Sequence, residues 1–250
     1  MSCTTLGRKR HLRRIGLQIY SVRDDARKDL ERTLAAIAAI GYKDVELLAS
    51  WKNFNTPART VRGMLDRTGL RAPSTHIDAL ALDDLERNLD DAQILGHEAL
   101  IVASIPEERR KTLDDYRYWA DRFNHAGAIA QKRGVWIGFH NHAFDVQPVD
   151  GYDLLLERTE PGAVRFQLDT SNLLAAGKDP MAYLKQFGSR YWSFHLKDEP
   201  EIGAGTIDFS RLLGSIDRID EKLLYVEQEN SPSPLDSVRR DYAAITTVAF

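Results

Sequence analysis

The sequence predicts an α/β protein built as a single (β/α)8 TIM barrel, and three observations predict it. Short apolar runs alternate with longer amphipathic segments along the chain. A glycine closes most of the amphipathic segments just before the next apolar run. The runs recur about every 27 residues, the length of one strand-helix unit. A strand followed by a helix at every step forces parallel pairing with right-handed crossovers. Eight such units fill the 250 residues. A doubly wound open sheet is the alternative, but no Gly-rich phosphate loop follows the first strand, where a dinucleotide-binding sheet would carry one. No Pro- or Ser-rich linker divides the chain, so residues 15–250 are read as one domain behind a basic arm, residues 1–14.

Strands are expected at Ile15–Tyr20, Asp44–Leu48, Ala72–His76, Ala99–Ala103, Val135–His140, Val164–Leu168, Tyr191–Leu196 and Leu223–Glu227. The helix after the first strand is the clearest, because Leu30, Leu34, Ile37 and Ile40 of DLERTLAAIAAI recur at helical spacing. Gly41, Gly69, Gly96, Gly134, Gly162 and Gly188 stand where helices end. They are predicted to be left-handed caps, where a residue without a Cβ sits most easily. GAGTID is read as a tight turn before a helix at Asp208, and the last helix as starting near Leu235.

Composition narrows the class of protein. The chain is 43% hydrophobic and 28% charged, with a formal net charge of −3 and acids and bases mixed. That balance fits a soluble fold with a sizeable core and argues against a nucleic-acid partner. The single cysteine, Cys3, excludes an intrachain disulfide and any Cys-based zinc site. No apolar run is long enough to span a membrane. The basic GRKRHLRR has no apolar segment of signal-peptide length behind it. The expectation is a cytoplasmic protein with a disordered basic arm, no membrane partner, and a surface compatible with a homo-oligomer.

In a barrel of this kind the active site lies at the C-terminal ends of the strands, so each polar residue's place within its unit predicts its role. Of the seven histidines, His11 lies in the arm, His97 precedes the fourth strand at the opposite face, and His125 sits in a helical pattern. These three are read as structural or exposed. His76, His140, His142 and His195 fall at the C-terminal ends of strands, where Glu46, Asp169 and Glu227 join them. Side chains alternate along a strand, so His140 and His142 share a face with Asn141 opposite, and Glu227 faces away from Val226 and Gln228. Asp169, His195 and Glu227, on successive strands, can converge on one point, with His140 as a fourth ligand. Carboxylate oxygen and imidazole nitrogen suit one divalent ion, Mn²⁺, Co²⁺, Zn²⁺ or Fe²⁺, or Mg²⁺ in carboxylate-rich sites.

The stretches IGLQIYSVRDD, GYKDVEL, HNHAFD, QLDTSNLLAAGKDP, SFHLKD, GAGTIDF and YVEQENSPSPLDSVRRDY follow one another along the chain. In that order they resemble the sugar phosphate isomerase/epimerase group of xylose-isomerase-like barrels, and in particular its HNH subgroup, over nearly everything after the arm. The resemblance implies a divalent metal at the ends of strands five to eight, with Asp169, His195 and Glu227 for strands six, seven and eight. Ketose 3-epimerases of the group carry a strand-five glutamate ligand in a stretch E-x-x-N. Here Gly138 stands three residues before Asn141, and Ala143 and Asp145 replace the acid pair of the form HNHDFEF. His140, on the same face as Gly138, is the expected substitute ligand. The alternative is three protein ligands completed by water or substrate.

A metal that chelates adjacent carbonyl and hydroxyl oxygens of a sugar acidifies the C–H between them and stabilises the enediolate. A base removes that proton, which returns to the other face or to the neighbouring carbon, or a β-leaving group departs. The expected function is therefore a divalent-metal-dependent sugar or keto-sugar isomerase/epimerase, with a keto-sugar lyase or dehydratase as the alternative. Glu227 is expected to be ligand and acid/base, the double role that the group gives its strand-eight glutamate, and His142 or Glu46 the second proton carrier. Lys197, two residues beyond His195, is read as stabilising a developing oxyanion or binding a substrate hydroxyl, or else as paired with Asp198 or Glu199. His76, Arg23 and Trp51 are candidate substrate contacts, Arg23 being equally able to pair with Asp24 or Asp25. The aromatic residues Tyr20, Phe139, Phe144 and Trp192 are read as packing. An abasic-site-type nuclease would want more ligands and a basic face. A barrel that only binds sugar would have no need of Asp169, His195, Glu227 and Lys197 together.

Overall fold

The computed structural model describes residues 10–250; the first nine residues of the arm, with Cys3, lie outside the described residues. Eight parallel strands close into a barrel in sequence order: β1 (Gly16–Gln18), β2 (Asp44–Leu48), β3 (Arg71–Ile77), β4 (Ala99–Val102), β5 (Trp136–His140), β6 (Val164–Asp169), β7 (Tyr191–Leu196) and β8 (Leu223–Val226). The ring closes where Gly16 and Leu17 of β1 pair with Tyr225 and Val226 of β8. Every expected strand is present, with ends shifted by a few residues. The largest shift is in β1, where Ile19–Val22 leaves the ladder as a 3-10 turn and the Tyr20 N–H donates to the Gln18 side chain.

Alternation along the strands sorts the side chains. Leu17, Val45, Ile137, Leu168 and Phe194 enter the apolar core between barrel and helices, while Gln18, Glu46, Gln167 and Ser193 are buried polar residues inside the ring. The helix Leu30–Ile40 buries Leu30, Leu34 and Ile37, and Asp29 caps it by accepting from the Arg32 N–H. The long helix Leu113–Gln131 starts in a capping box between Thr112 and Asp115, and carries His125. Asp208 caps Phe209–Gly214 and the final helix spans Pro234–Thr247, both close to expectation. Among the described residues no helix is long and apolar enough to cross a membrane.

Two expectations need correction. Gly41, Gly69, Gly96 and Gly134 have positive φ, but Gly162 and Gly188 do not. Gly188 has φ −53° and leads into the 3-10 turn Gly188–Arg190, so that helix ends by tightening. The last residues of the arm are also ordered. The Arg10 backbone exchanges hydrogen bonds with Phe250, and the Arg14 guanidinium forks onto both oxygens of Asp44 at 2.6 Å. A buried carboxylate at the foot of β2 thus ties down residues that composition alone marks as a free basic tail.

Candidate metal centre and active site

His140, Asp169, His195 and Glu227 come from the ends of β5, β6, β7 and β8, all are buried, and one ligand atom from each lies within 4.8 Å of the others. Asp169 caps the helix Thr170–Ala175: its Oδ1 accepts from the Asn172 N–H at 2.8 Å, while its buried Oδ2 has no hydrogen-bond partner. His140 Nε2 lies 3.9 Å from that oxygen. His195 Nδ1 lies 3.0 Å from Glu227 Oε2, about the separation of two adjacent ligands on an octahedral ion with bonds near 2.1 Å. A buried carboxylate oxygen with no donor, beside a second carboxylate and two imidazoles, is what a divalent cation satisfies. The donor set therefore fits the metal expected from the sequence.

A polar layer one step below decides how the histidines present themselves. Glu46 stands mid-strand in β2, not at its end, and is fully buried. Its Oε1 accepts from Ser74 Oγ at 2.6 Å and Gln167 Nε2 at 3.0 Å, and its Oε2 from Gln18 Nε2 at 2.7 Å and His195 Nε2 at 2.6 Å. β2 runs two residues beyond Glu46, so its carboxylate sits beneath the mouth with both oxygens spent and is not placed to carry a proton at the cavity, contrary to the expectation from the sequence. Because the Gln167 amide nitrogen faces Glu46, its oxygen must face the histidines. It accepts from His140 Nδ1 at 3.1 Å and from His76 Nε2 at 2.9 Å. His140 then turns its Nε2 lone pair toward Asp169, and Glu46, by taking the Nε2–H of His195, leaves Nδ1 for the metal.

Charge balance follows from these contacts. Burial would push His195 down, but Glu227 and Glu46 on either side hold it up at about 10, so a metal at Nδ1 would have to displace the proton held there. Burial raises Glu227, and His195 and Lys197 outweigh it, leaving the carboxyl at about 2. Asp169 is pushed up to about 6 by burial, against the pull of Lys197. Burial and the neighbouring cationic groups keep His140 well below the ordinary histidine range, and burial lowers His142 to about 4.

Above the cluster lies a cavity of about 240 Å³, lined among others by His76, His140, His142, Trp51 and Glu227. His142 lies flat against Phe144 at 4.8 Å, and its Nδ1 has no partner. Lys197 pairs with Glu229 and approaches Glu227 Oε2 to 4.0 Å. The expected partner Asp198 is instead occupied by the Glu199 and Thr206 N–H groups. Gly205 of GAGTID abuts that carboxylate so closely that any Cβ would collide with it. Arg23 is absent from the lining. It lies over the Tyr20 ring at 4.2 Å and donates to the backbone carbonyls of Tyr20 and Glu229, so it anchors the loops after β1 and β8, but not through Asp24 or Asp25. His76 reaches the cavity, yet its Nε2 is bonded to Gln167 and its Nδ1 faces Gln18 Nε2 at 3.4 Å.

Sequence reading missed Gln18, Ser74, Gln167, Ser193 and Tyr225 below the mouth, and Tyr20, Asn172 and Glu229 around the cavity. A signal for the first group was present. Ser74, Gln167, Ser193 and Tyr225 stand two residues before His76, Asp169, His195 and Glu227, so alternation points them into the same ring. Gly138 occupies the same place before His140. A Cβ there would meet Ile101 Cγ1 at 3.2 Å and the Arg165 carbonyl oxygen at 3.4 Å, so a side chain at position 138 would be crowded beneath the cavity.

Comparison with known proteins agrees with this architecture. A family model described as xylose isomerase-like TIM barrel matches residues 34–247. Inosose dehydratase 2 of Bacillus cereus is 32% identical over 107 residues, covering 41% of this chain and 36% of that protein. The aligned stretch thus spans little more than a third of that relative. A sugar phosphate isomerase/epimerase from Parabacteroides distasonis ATCC 8503 superposes with a TM-score of 0.84 at 23% identity, over 92% of this chain and 96% of the other. L-ribulose 3-epimerase superposes with a TM-score of 0.73 at 16% identity, over 93% of each chain. At such identities the superpositions establish the fold alone. The family model, however, reaches from the first crossover helix to the last, and the chain belongs to the xylose isomerase-like TIM barrel family.

Proposed function

We propose that this barrel is a divalent-metal-dependent keto-sugar isomerase or epimerase in which Glu227 moves a proton next to a carbonyl. The observation that carries the reading is the orphaned, buried Oδ2 of Asp169 inside a ring of three further ligand atoms. Asp169 Oδ2, His195 Nδ1, Glu227 Oε2 and His140 Nε2 would hold the ion, which supplies Lewis acidity toward adjacent carbonyl and hydroxyl oxygens of a sugar. Glu227 has Oε2 engaged by His195 and Lys197 and keeps Oε1 to accept the proton. His142, held neutral by burial and stacked on Phe144, offers a ring nitrogen as the second proton carrier. Lys197, kept charged by Glu227, Asp169 and Glu229, balances negative charge as it develops on the substrate. Trp51 and Tyr20, edge to face at 5.3 Å, wall the cavity, whose size suits a single sugar ring better than a drug-sized ligand.

Dehydration of a keto-sugar or inosose is the second reading. It is favoured by the relatedness to inosose dehydratase and by the one-sided placement of the unspent carboxylate, since elimination needs a base on one face only. Metal-loaded protein incubated in deuterated water with ketoses, 3-keto-glycosides and inososes separates the two. Isomerisation or epimerisation incorporates deuterium beside the carbonyl and returns a sugar of unchanged composition. Dehydration gives an unsaturated or dicarbonyl product that has lost water. Protein that takes up no divalent metal would overturn both, as would a metal-loaded sample that neither exchanges a C–H nor releases water from any of these substrates.

A further inference from the structure

We propose that a second pocket beside the catalytic cavity holds the further ring of a glycoside or disaccharide, so that the substrate class is an extended sugar; this rests on the sugar reading above. The segment between β2 and the helix Ala58–Thr68 carries the first sign. After the 3-10 turn Ala49–Trp51, residues Lys52, Asn53, Phe54 and Asn55 have φ of 52°, 47°, 57° and 59°. Four successive non-glycine residues in the left-handed region are strained, and such strain persists where the surrounding structure over-determines it, which is most often at ligand sites.

The turn separates two spaces. Ser50 and Trp51 line the catalytic cavity, whereas Ser50, Lys52 and Asn53 line an adjoining pocket of about 350 Å³. The end of β3 serves both in the same way, with His76 in the cavity and Ile77 and Asp78 in the pocket. The two spaces therefore adjoin at Ser50, close enough for one extended molecule to touch both.

The lining selects the chemistry of the occupant. Asn53 is 5% exposed and its buried Oδ1 has no hydrogen-bond partner, an unspent acceptor that costs stability unless a donor arrives. Asp78, whose carboxyl is pushed up by burial, stands with Asn88 and Arg87 on the same walls. The cations Lys52 and Arg87 are offset by Asp78 and Asp91, so a phosphate gains little. An apolar aglycone would leave the amide and carboxylate groups unpaired. A neutral ring carrying several hydroxyls, each donor and acceptor, matches this mixed set.

NMR titration of the full chain with glucose, cellobiose, maltose and lactose tests the proposal. The Trp51 indole signal reports the cavity, and the Asn53 and Asn88 side-chain amides report the pocket. The expected result is that a disaccharide shifts all three signals and binds about tenfold or more tighter than glucose, while glucose shifts Trp51 alone. The double variant Arg87→Ala, Asn88→Ala should bring disaccharide affinity down to that of glucose without changing glucose affinity. Disaccharides that move Trp51 and leave Asn53 and Asn88 unchanged, or that bind no tighter than glucose, overturn the extended-substrate proposal and leave the sugar reading standing. If none of the four sugars moves the Trp51 signal, the extension fails, while the keto-sugar reading is decided by the deuterium experiment above. Should the double variant not fold, the wild-type shifts and affinities decide.

Discussion

At the scale of single residues, Gln167 connects the two layers of the site. Its amide nitrogen is held by Glu46 and Ser193 Oγ, at 3.0 and 2.8 Å, which leaves its oxygen to accept the N–H groups of His140 and His76. Replacing it by leucine frees the tautomer of His140 and leaves the buried Glu46 short of a donor. Gln167→Leu should weaken metal binding about 10–100-fold, as loss of partners behind metal ligands commonly does, read by competition with a metal-binding dye. Unchanged affinity would remove Gln167 from the site. His97, at the opposite face, bears on stability: its Nδ1–H donates to the Ala72 carbonyl, and burial lowers the ring from 6.5 to about 4. The folded protein therefore binds fewer protons than the unfolded chain between about pH 4 and 6.5. This contribution is complete above pH 6.5 and lost as pH falls, on the order of 3 kcal/mol by pH 4. The difference in urea-unfolding stability between wild type and His97→Asn, taken at a series of pH values, should carry that slope.

Elements were legible in the sequence to different degrees. The strands read clearly because a parallel barrel buries both faces of each strand, which leaves short continuous apolar runs. The left-handed turn at residues 52–55 did not, since KNFN contains no glycine to mark positive φ. The helix Leu113–Gln131 shows a related difficulty at Gly127. From propensity alone, alanine there should stabilise by about 1 kcal/mol. A Cβ at Gly127 would instead lie 2.6 Å from the Ala163 carbonyl oxygen and 3.0 Å from the Ala163 Cβ, and the obstruction is largely backbone. Gly127→Ala is expected to destabilise by about 1–3 kcal/mol in urea unfolding; a stabilised variant would mean that the helix can shift away from the turn before β6. Arg218, exposed with φ 51° and paired to Glu221 at the surface, is the opposite case. Arg218→Gly should raise stability by about 0.5–1 kcal/mol, because relief of left-handed strain outweighs a surface ion pair.

For the whole molecule, closure of the barrel is what brings β5 to β8 around one point and places the spent carboxylate of Glu46 behind His195. A cation bound there should stabilise the entire fold. With metal at a hundredfold excess over its dissociation constant, removal by chelator should lower Tm by about 5–10 °C for a chain of this size. Asp169→Asn should lose that dependence while still folding. A Tm indifferent to chelation in metal-loaded protein would count against the cluster as a metal centre. The sequence by itself determined the eight strand-helix units, their parallel order and the end of the barrel where acids and histidines gather, because hydrophobic period and position within a unit are local properties of the chain. Only the tertiary structure decided which of those residues reach the mouth and which are spent below it. Glu46 and Glu227 are both glutamates that the sequence places at strand ends, and the difference between them is one layer of depth. The stagger of tilted strands around a closed ring sets that depth, and no single strand records it.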